Sequence, residues 1–224
     1  AVLILRDEGK LSLQQRIGEV VPETKVNEFV ASSSIFDLLT MQTGLVSDDA
    51  WGDRCLGCTD ADYDRVISRQ ALFVPKTGVE FRYSNLGYMI AGKIVALLSG
   101  VPMHTFIQNR LLRPLEMNHS AWNVDSVAES EIADGYEVHG EHLQLLPRSK
   151  CKGYGDALGG LWSTPTDLAR WMEFLLAARK NGESRYDRVL SKVSRLEMQE
   201  GRVSMPPHES ELTHKFERYG VYGY

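Results

Sequence analysis

Several short patterns in this chain bring together side chains capable of chemistry. Cys55-Leu56-Gly57-Cys58 is a C-x-x-C, the spacing of half a zinc site or of a redox pair. A structural zinc site needs four ligands, and the one other cysteine, Cys151, stands alone. Cys55 and Cys58 therefore read as loop thiols, free or joined in a local disulfide. His139-x-x-His142 offers two imidazoles, but a spacing of three along one strand points them to opposite faces, which argues against chelation. Asp60-Ala61-Asp62-Tyr63-Asp64 opens like a calcium loop, yet Arg65 holds the sixth position, where Gly is required, and Ala71 the twelfth, where Glu is. Its acids suit the first turn of a helix. Ser149-Lys150-Cys151-Lys152 matches S-x-x-K, in which one helical turn sets a lysine amine beside a serine hydroxyl and eases removal of its proton. Here it follows Pro147 in a polar stretch without helical periodicity, so that geometry is not supplied. Lys76-Thr77-Gly78 reads as a turn. Tyr83-Ser84-Asn85 remains, a phenol, a hydroxyl and a carboxamide at the junction of an alternating run and a helix.

The elements that must position these groups are mostly helical. Residues 34–41 suit a short helix with Ser34 as N-cap and Asp37 three residues on, stopped near Gly44. Residues 44–57 read as a polar loop, after which Thr59 or Asp60 caps a helix to about Leu72 with Val66 and Ile67 in its core. Residues 79–83 alternate and read as extended. From Ser84, the apolar residues Leu86, Ile90, Ile94, Leu97 and Val101 recur at steps of four, four, three and four, one face of a helix ended by Ser99-Gly100. Gly87, Ala91, Gly92 and Ala96 give it a small-residue side where another backbone comes close.

Residues 102–113 read as a further helix, with Pro102 in its first turn and Pro114 ending it. Residues 135–145 form a hairpin turning at Gly140. Thr164-Pro165-Thr166-Asp167 combines an N-cap, a proline at N1 and an acid at N3, and predicts a helix burying Leu168, Trp171, Met172, Leu175 and Leu176. Residues 186–200 carry Val189, Val193 and Leu196 at helical spacing. Residues 201–215 are polar and read as loop.

With 25 Lys and Arg against 30 Asp and Glu, the 224-residue chain has a net charge of −5, and no basic run longer than a dipeptide. Nucleic acid and anionic membrane surfaces are not expected partners. The longest apolar stretch, residues 87–101, is broken by Lys93 and too short for a membrane span. An odd count of three cysteines excludes a disulfide scaffold and leaves the compartment open. Residues 1–8 read as the last turns of a buried helix stopped by Gly9, without a signal peptide, and Tyr219-Gly220-Val221-Tyr222 as the start of a strand. Both suggest a single domain, residues 1–224, incomplete at both ends.

Taken in order, the segments resemble the β-lactamase-related serine hydrolases, the group of class C β-lactamases, D-alanyl-D-alanine carboxypeptidases and family VIII-type esterases. Tyr83-Ser84-Asn85 with Gly87-Tyr88 resembles the family's Tyr-x-Asn element. Asp7-Glu8-Gly9-Lys10-Leu11 resembles the segment after its nucleophile helix, and Leu38-Leu39-Thr40-Met41-Gln42-Thr43-Gly44-Leu45 its "LLtHtSGL". Pro114-Leu115-Glu116-Met117 resembles "PLGM", and Gly159-Gly160-Leu161-Trp162-Ser163-Thr164 through Asp167-Leu168-Ala169 resembles "GGlxSTxxDLa".

The resemblance implies an α/β (α+β) fold, a helical domain against an antiparallel sheet, with this chain mostly helical. It implies a serine hydrolase that forms an acyl-enzyme from a β-lactam, ester or D-alanyl peptide, with no metal or organic cofactor and an exported location. Tyr83 would move the serine proton and Asn85 would hydrogen-bond the substrate and hold the lysine. A phenol of ordinary pKa about 10 needs cations or a shared proton network to act as a base near neutrality. The same resemblance puts the S-x-x-K before Ala1 and the K-T-G or H-x-G after Tyr224, so the isolated chain is expected to be inactive. Missing strands would expose Val2, Leu3 and Leu5 and favour self-association. The competing class is a non-catalytic scaffold on the same fold.

Overall fold

The computed structural model describes residues 1–46, 59–68, 81–125, 127–146, 148, 153–204, 208–209, 216–217 and 221–222. Cys55, Cys58, Lys76-Thr77-Gly78, the Ser149-x-x-Lys152 match and the expected end of a helix at Leu72 lie outside them.

Local sequence chemistry sets the helix boundaries. Before α4 (Ile35–Leu39), Ser34 Oγ accepts from the Asp37 amide at 3.0 Å while Asp37 Oδ2 accepts from the Ser34 amide at 2.9 Å, a reciprocal capping box. Thr59, not Asp60, caps α5 (Asp60–Ile67) through the same exchange with Asp62. Ser84 caps α6 (Asn85–Ser99), which Gly100 closes at φ +73°. Thr164 caps α8 (Pro165–Leu176) with Pro165 in its first turn. Three short helices precede α4, namely α1 (Val2–Asp7), α2 (Ile17–Val20) and α3 (Glu28–Ser32). The helix expected over 102–113 is α7 (Met103–Ile107) running into a π-helical turn, Gln108–Leu112. The stretch 186–200 divides into a 3-10 turn, Arg185–Arg188, and α9 (Lys192–Glu197).

The core gathers around α6, which packs on α1, α4, α7 and the 3-10 turn Tyr154–Leu158. Leu86, Met89, Ile90, Ile94 and Val95 are buried there with Leu5, Leu38 and Phe106. The small-residue side borders a cavity: Ala91 and Gly92 line it together with Ala157 and Leu158 of that turn. Val2, Leu3 and Leu5 are buried, not exposed as expected, because α1 lies against α6.

Helical periodicity overreached at the far ends of its stripes. Leu97 and Val101 are exposed at the end of α6, and Val193 is exposed on α9. In α8 the buried side chains are Asp167 and Phe174, while Leu168, Met172 and Leu176, spaced by four, form an exposed row. Phe174 instead meets Trp171 and the edge of Tyr186, at 5.2 and 5.7 Å between ring centroids.

Strands are few and antiparallel. β1 (Tyr136–His139) pairs with β2 (His142–Leu145) around Gly140 at φ +62°. His139 and His142 stand directly opposite each other, which puts both on one face of the hairpin. The opposite-face rule holds along one strand and does not carry across a turn. Tyr136, Val138, Leu143 and Leu145 make the other face, and all four are exposed. Toward the C-terminus, β3 (Val203–Ser204) pairs with β6 (Val221–Tyr222) and β4 (His208–Glu209) with β5 (Phe216–Glu217). No single helix among the described residues is long and apolar enough to cross a membrane.

Candidate functional site

Tyr83 and Asn85 are brought together at the head of α6. Extended backbone at Ser84 (φ −153°, ψ 115°) turns into the helix, so Tyr83 precedes the N-cap and Asn85 is the first helical residue. Tyr83 Oη donates to Asn85 Oδ1 at 3.0 Å. The phenol is half-exposed and the carboxamide buried. With its oxygen engaged, Asn85 keeps the two N–H donors of its amide. The segment is anchored from behind by the turn after α4, where the Met41 carbonyl accepts from the Arg82 amide at 2.8 Å. Met41 has a left-handed backbone, φ +56°, although it is not glycine.

The Gly159 to Ala169 segment is tied down by one carboxylate. Asp167, fully buried, accepts from the His119 amide and the Ser120 hydroxyl, both at 2.8 Å, and from Arg170 at 2.7 Å. Ser120 also bonds Ser163 at 2.8 Å, and Ala121 bridges Trp162 in antiparallel register. In the sequence Asp167 was legible as the acid of a helix start. That it also holds a turn 47 residues upstream could not be seen there, because its partners are a backbone amide and a common hydroxyl.

A buried cation fixes the middle of α6. Lys93, which the sequence showed as the interruption of an apolar run, bonds Glu23 Oε1 at 2.8 Å and also Asp64. Burial pulls its ammonium down, but the hydrogen bonds to Asp64 and Glu23 outweigh that and hold it above its ordinary value. The bond from Lys93 in turn holds Glu23 below the ordinary carboxylate value, against desolvation. Asp64 is thus an ion-pair partner and Asp62 a cap, which accounts for two of the three acids of the Asp60 to Asp64 run. Lys93 lies eight residues beyond Asn85, about 12 Å along the axis, and anchors the helix without reaching the pair.

Two cavities flank α6 and α7. One of about 380 Å³ is apolar, lined by Leu39, Tyr88, Ala91, Gly92, Leu158 and Leu161 among others. The other, about 460 Å³, is polar and includes His104, Asn109, Arg113, Trp122 and Asp156. No group of three or more His, Cys, Asp or Glu among the described residues could hold a metal ion.

The family model described as Beta-lactamase matches residues 1–221. Protein flp of Staphylococcus aureus (strain COL) is 27% identical over 180 residues, covering 79% of this chain and 36% of that protein. The octameric penicillin-binding protein homologue from Pyrococcus abyssi superposes with a TM-score of 0.78 at 25% identity, over 98% of this chain and 49% of that one. A class C beta lactamase from Rhodobacter sphaeroides gives 0.67 at 18% identity, over 90% and 53%. This chain spans about a third of the length of the curated relatives it matches and about half of these solved chains.

Proposed function

The chain belongs to the beta-lactamase family, and from that premise we propose that Tyr83 and Asn85 are the tyrosine and asparagine of a serine hydrolase working through an acyl-enzyme. The carrying observation is the 3.0 Å bond from Tyr83 Oη to Asn85 Oδ1 at the head of α6. The resemblance puts the nucleophilic serine, with a lysine one helical turn on, before Ala1.

In this reading the serine Oγ bonds to the carbonyl carbon of a lactam, ester or D-alanyl peptide. Tyr83 acts here as its phenolate, the bond to Asn85 Oδ1 belonging to the resting phenol, and the serine proton passes to the Tyr83 oxygen as the attack occurs. The tetrahedral oxyanion is held by backbone N–H groups, and the bond from carbon to the leaving nitrogen or oxygen then breaks as Tyr83 returns the proton to that atom. Water adds to the acyl carbon in the same way and frees the serine. Asn85 contributes positioning: its oxygen orients the phenol and its N–H groups donate to a substrate carbonyl.

Labelling of the native protein with a fluorescent penicillin or a fluorophosphonate tests this. Tyr83→Phe should slow acylation by about 10²- to 10⁴-fold, the usual range for removing a proton-transfer group. A folded native protein that neither probe labels would sink the reading in favour of a binding scaffold. Self-association is proposed as well, through the exposed rows on α8 and the β1–β2 hairpin; the octameric state of the Pyrococcus neighbour supports it. A monomeric mass by light scattering at high concentration would exclude it.

A further inference from the structure

We propose that Tyr88 is a positioning residue for the Tyr83–Asn85 pair, acting as a latch between α6 and the stop turn of α4; this rests on the reading above. The last carbonyls of any α-helix lack partners within it and must find donors elsewhere. In α4 the stop turn is closed by two bonds, Gln42 N–H to Asp37 O at 2.7 Å and Met41 N–H to Leu38 O at 3.3 Å, with Met41 left-handed between them. Two further carbonyls of this turn accept donors from the segment that bears the pair. Met41 O takes the Arg82 amide at 2.8 Å, and Leu39 O takes the Tyr88 hydroxyl at 3.2 Å.

These two bonds bracket the pair. Arg82 immediately precedes Tyr83, and Tyr88 lies three residues beyond Asn85, nearly one helical turn. The turn that receives them is itself held fast: Thr40 is fully buried, and its hydroxyl donates to the Phe36 carbonyl at 2.9 Å. A chain gripped on both sides by one rigid turn cannot slide or roll relative to it, and that fixes where the Tyr83 oxygen sits with respect to the Asn85 carboxamide. Tyr88 is half-buried and its ring lines the apolar cavity between α6 and the 154–158 turn, while its hydroxyl reaches the carbonyl. Deleting the oxygen alone therefore removes the latch and leaves the packing.

The test is Tyr88→Phe, followed by exchange of the Arg82 amide and by the ¹³Cζ resonance of Tyr83. Loss of one bracketing bond should speed Arg82 exchange by about tenfold and shift the Tyr83 resonance as its bond to Asn85 loosens. The acylation rate should fall by about 5- to 20-fold at a temperature where the variant is fully folded. Tyr136→Phe, on the exposed hairpin, should move none of these. If Tyr88→Phe leaves both the Arg82 exchange rate and the Tyr83 resonance unchanged, the latch is overturned. The two spectroscopic readouts do not depend on hydrolysis. Normal acylation by Tyr83→Phe would refute the functional reading and leave the latch standing.

Discussion

Replacing Glu116 by glycine should make this protein more stable, although the substitution deletes a side chain and a charge. Glu116 has φ +60° in the stop turn that follows the π-helical turn. The Met117 amide bonds Leu112 O and the Glu116 amide bonds Arg113 O, each at 2.9 Å, the paired bonds of a left-handed helix stop. The PLGM pattern that Pro114-Leu115-Glu116-Met117 resembles has glycine at this place. A left-handed backbone costs a residue with a Cβ about 1–2 kcal/mol. Glycine loses more chain entropy on folding, which returns about 0.5–1 kcal/mol of that. The net gain is about 0.5–1 kcal/mol, or about 1–4 °C in the thermal midpoint of a chain this size. The contact from Glu116 to Arg185, 3.9 Å between two side chains more than half exposed, is too screened to reverse the sign. Calorimetry on Glu116→Gly and Glu116→Ala separates the causes. Alanine removes the same charge but keeps the Cβ, so it should give no gain. If alanine raises the midpoint as much as glycine does, or glycine lowers it, backbone strain is not the reason.

Asp167→Ala should cost about 3–5 kcal/mol, because it strands a part-buried amide at His119 and a buried hydroxyl at Ser120 and removes the partner of Arg170; urea unfolding reads this as a lower midpoint with unchanged slope. Acid should destabilise the fold through Asp7 and Glu23. Burial pushes Asp7 up, but hydrogen bonds from Ser194, Ser191 and Arg6 outweigh it and leave its carboxyl below the ordinary 3.8, while the Lys93 bond leaves Glu23 below 4.5. Carboxyls depressed in the folded state stabilise it above those ordinary values and lose that contribution as pH falls through the lowered ones. Unfolding free energy should therefore decline below about pH 4.5, and Glu23→Gln should remove part of that slope.

What the sequence made legible was the chemistry that acts over three or four residues. Ser34, Ser84, Thr164 and, of the two residues the sequence offered, Thr59 rather than Asp60 cap the helices, since each bonds an amide three positions on. The Tyr83–Asn85 pair was legible for the same reason, its members flanking one cap. Partners joined only by folding were not: Lys93 with Glu23 and Asp64, Asp167 with Ser120, and Arg195, fully buried and bonded to the Phe174 and Leu190 carbonyls. Apolar stripes fell between these cases. Periodicity put Leu168, Trp171, Met172, Leu175 and Leu176 of α8 in one buried stripe and left Phe174 out, yet Leu168, Met172 and Leu176 proved exposed while Phe174 went inside.

Met41 sets the limit of the argument from backbone strain. It occupies the same left-handed position as Glu116, φ +56° against +60°, in a helix stop with the same pair of bonds. Glycine at residue 41 would relieve a similar strain, for a gain of about 0.5–1 kcal/mol. Yet the Met41 side chain is only 6% exposed, and truncating a buried methionine costs about 2–5 kcal/mol. Met41→Gly should thus lower stability by about 1–4 kcal/mol where Glu116→Gly raises it. The opposite signs isolate burial as the deciding term, because the backbone geometry is shared. A gain in both variants, measured by urea unfolding under one set of conditions, would show that strain outweighs packing at the turn that holds Arg82 and Tyr88.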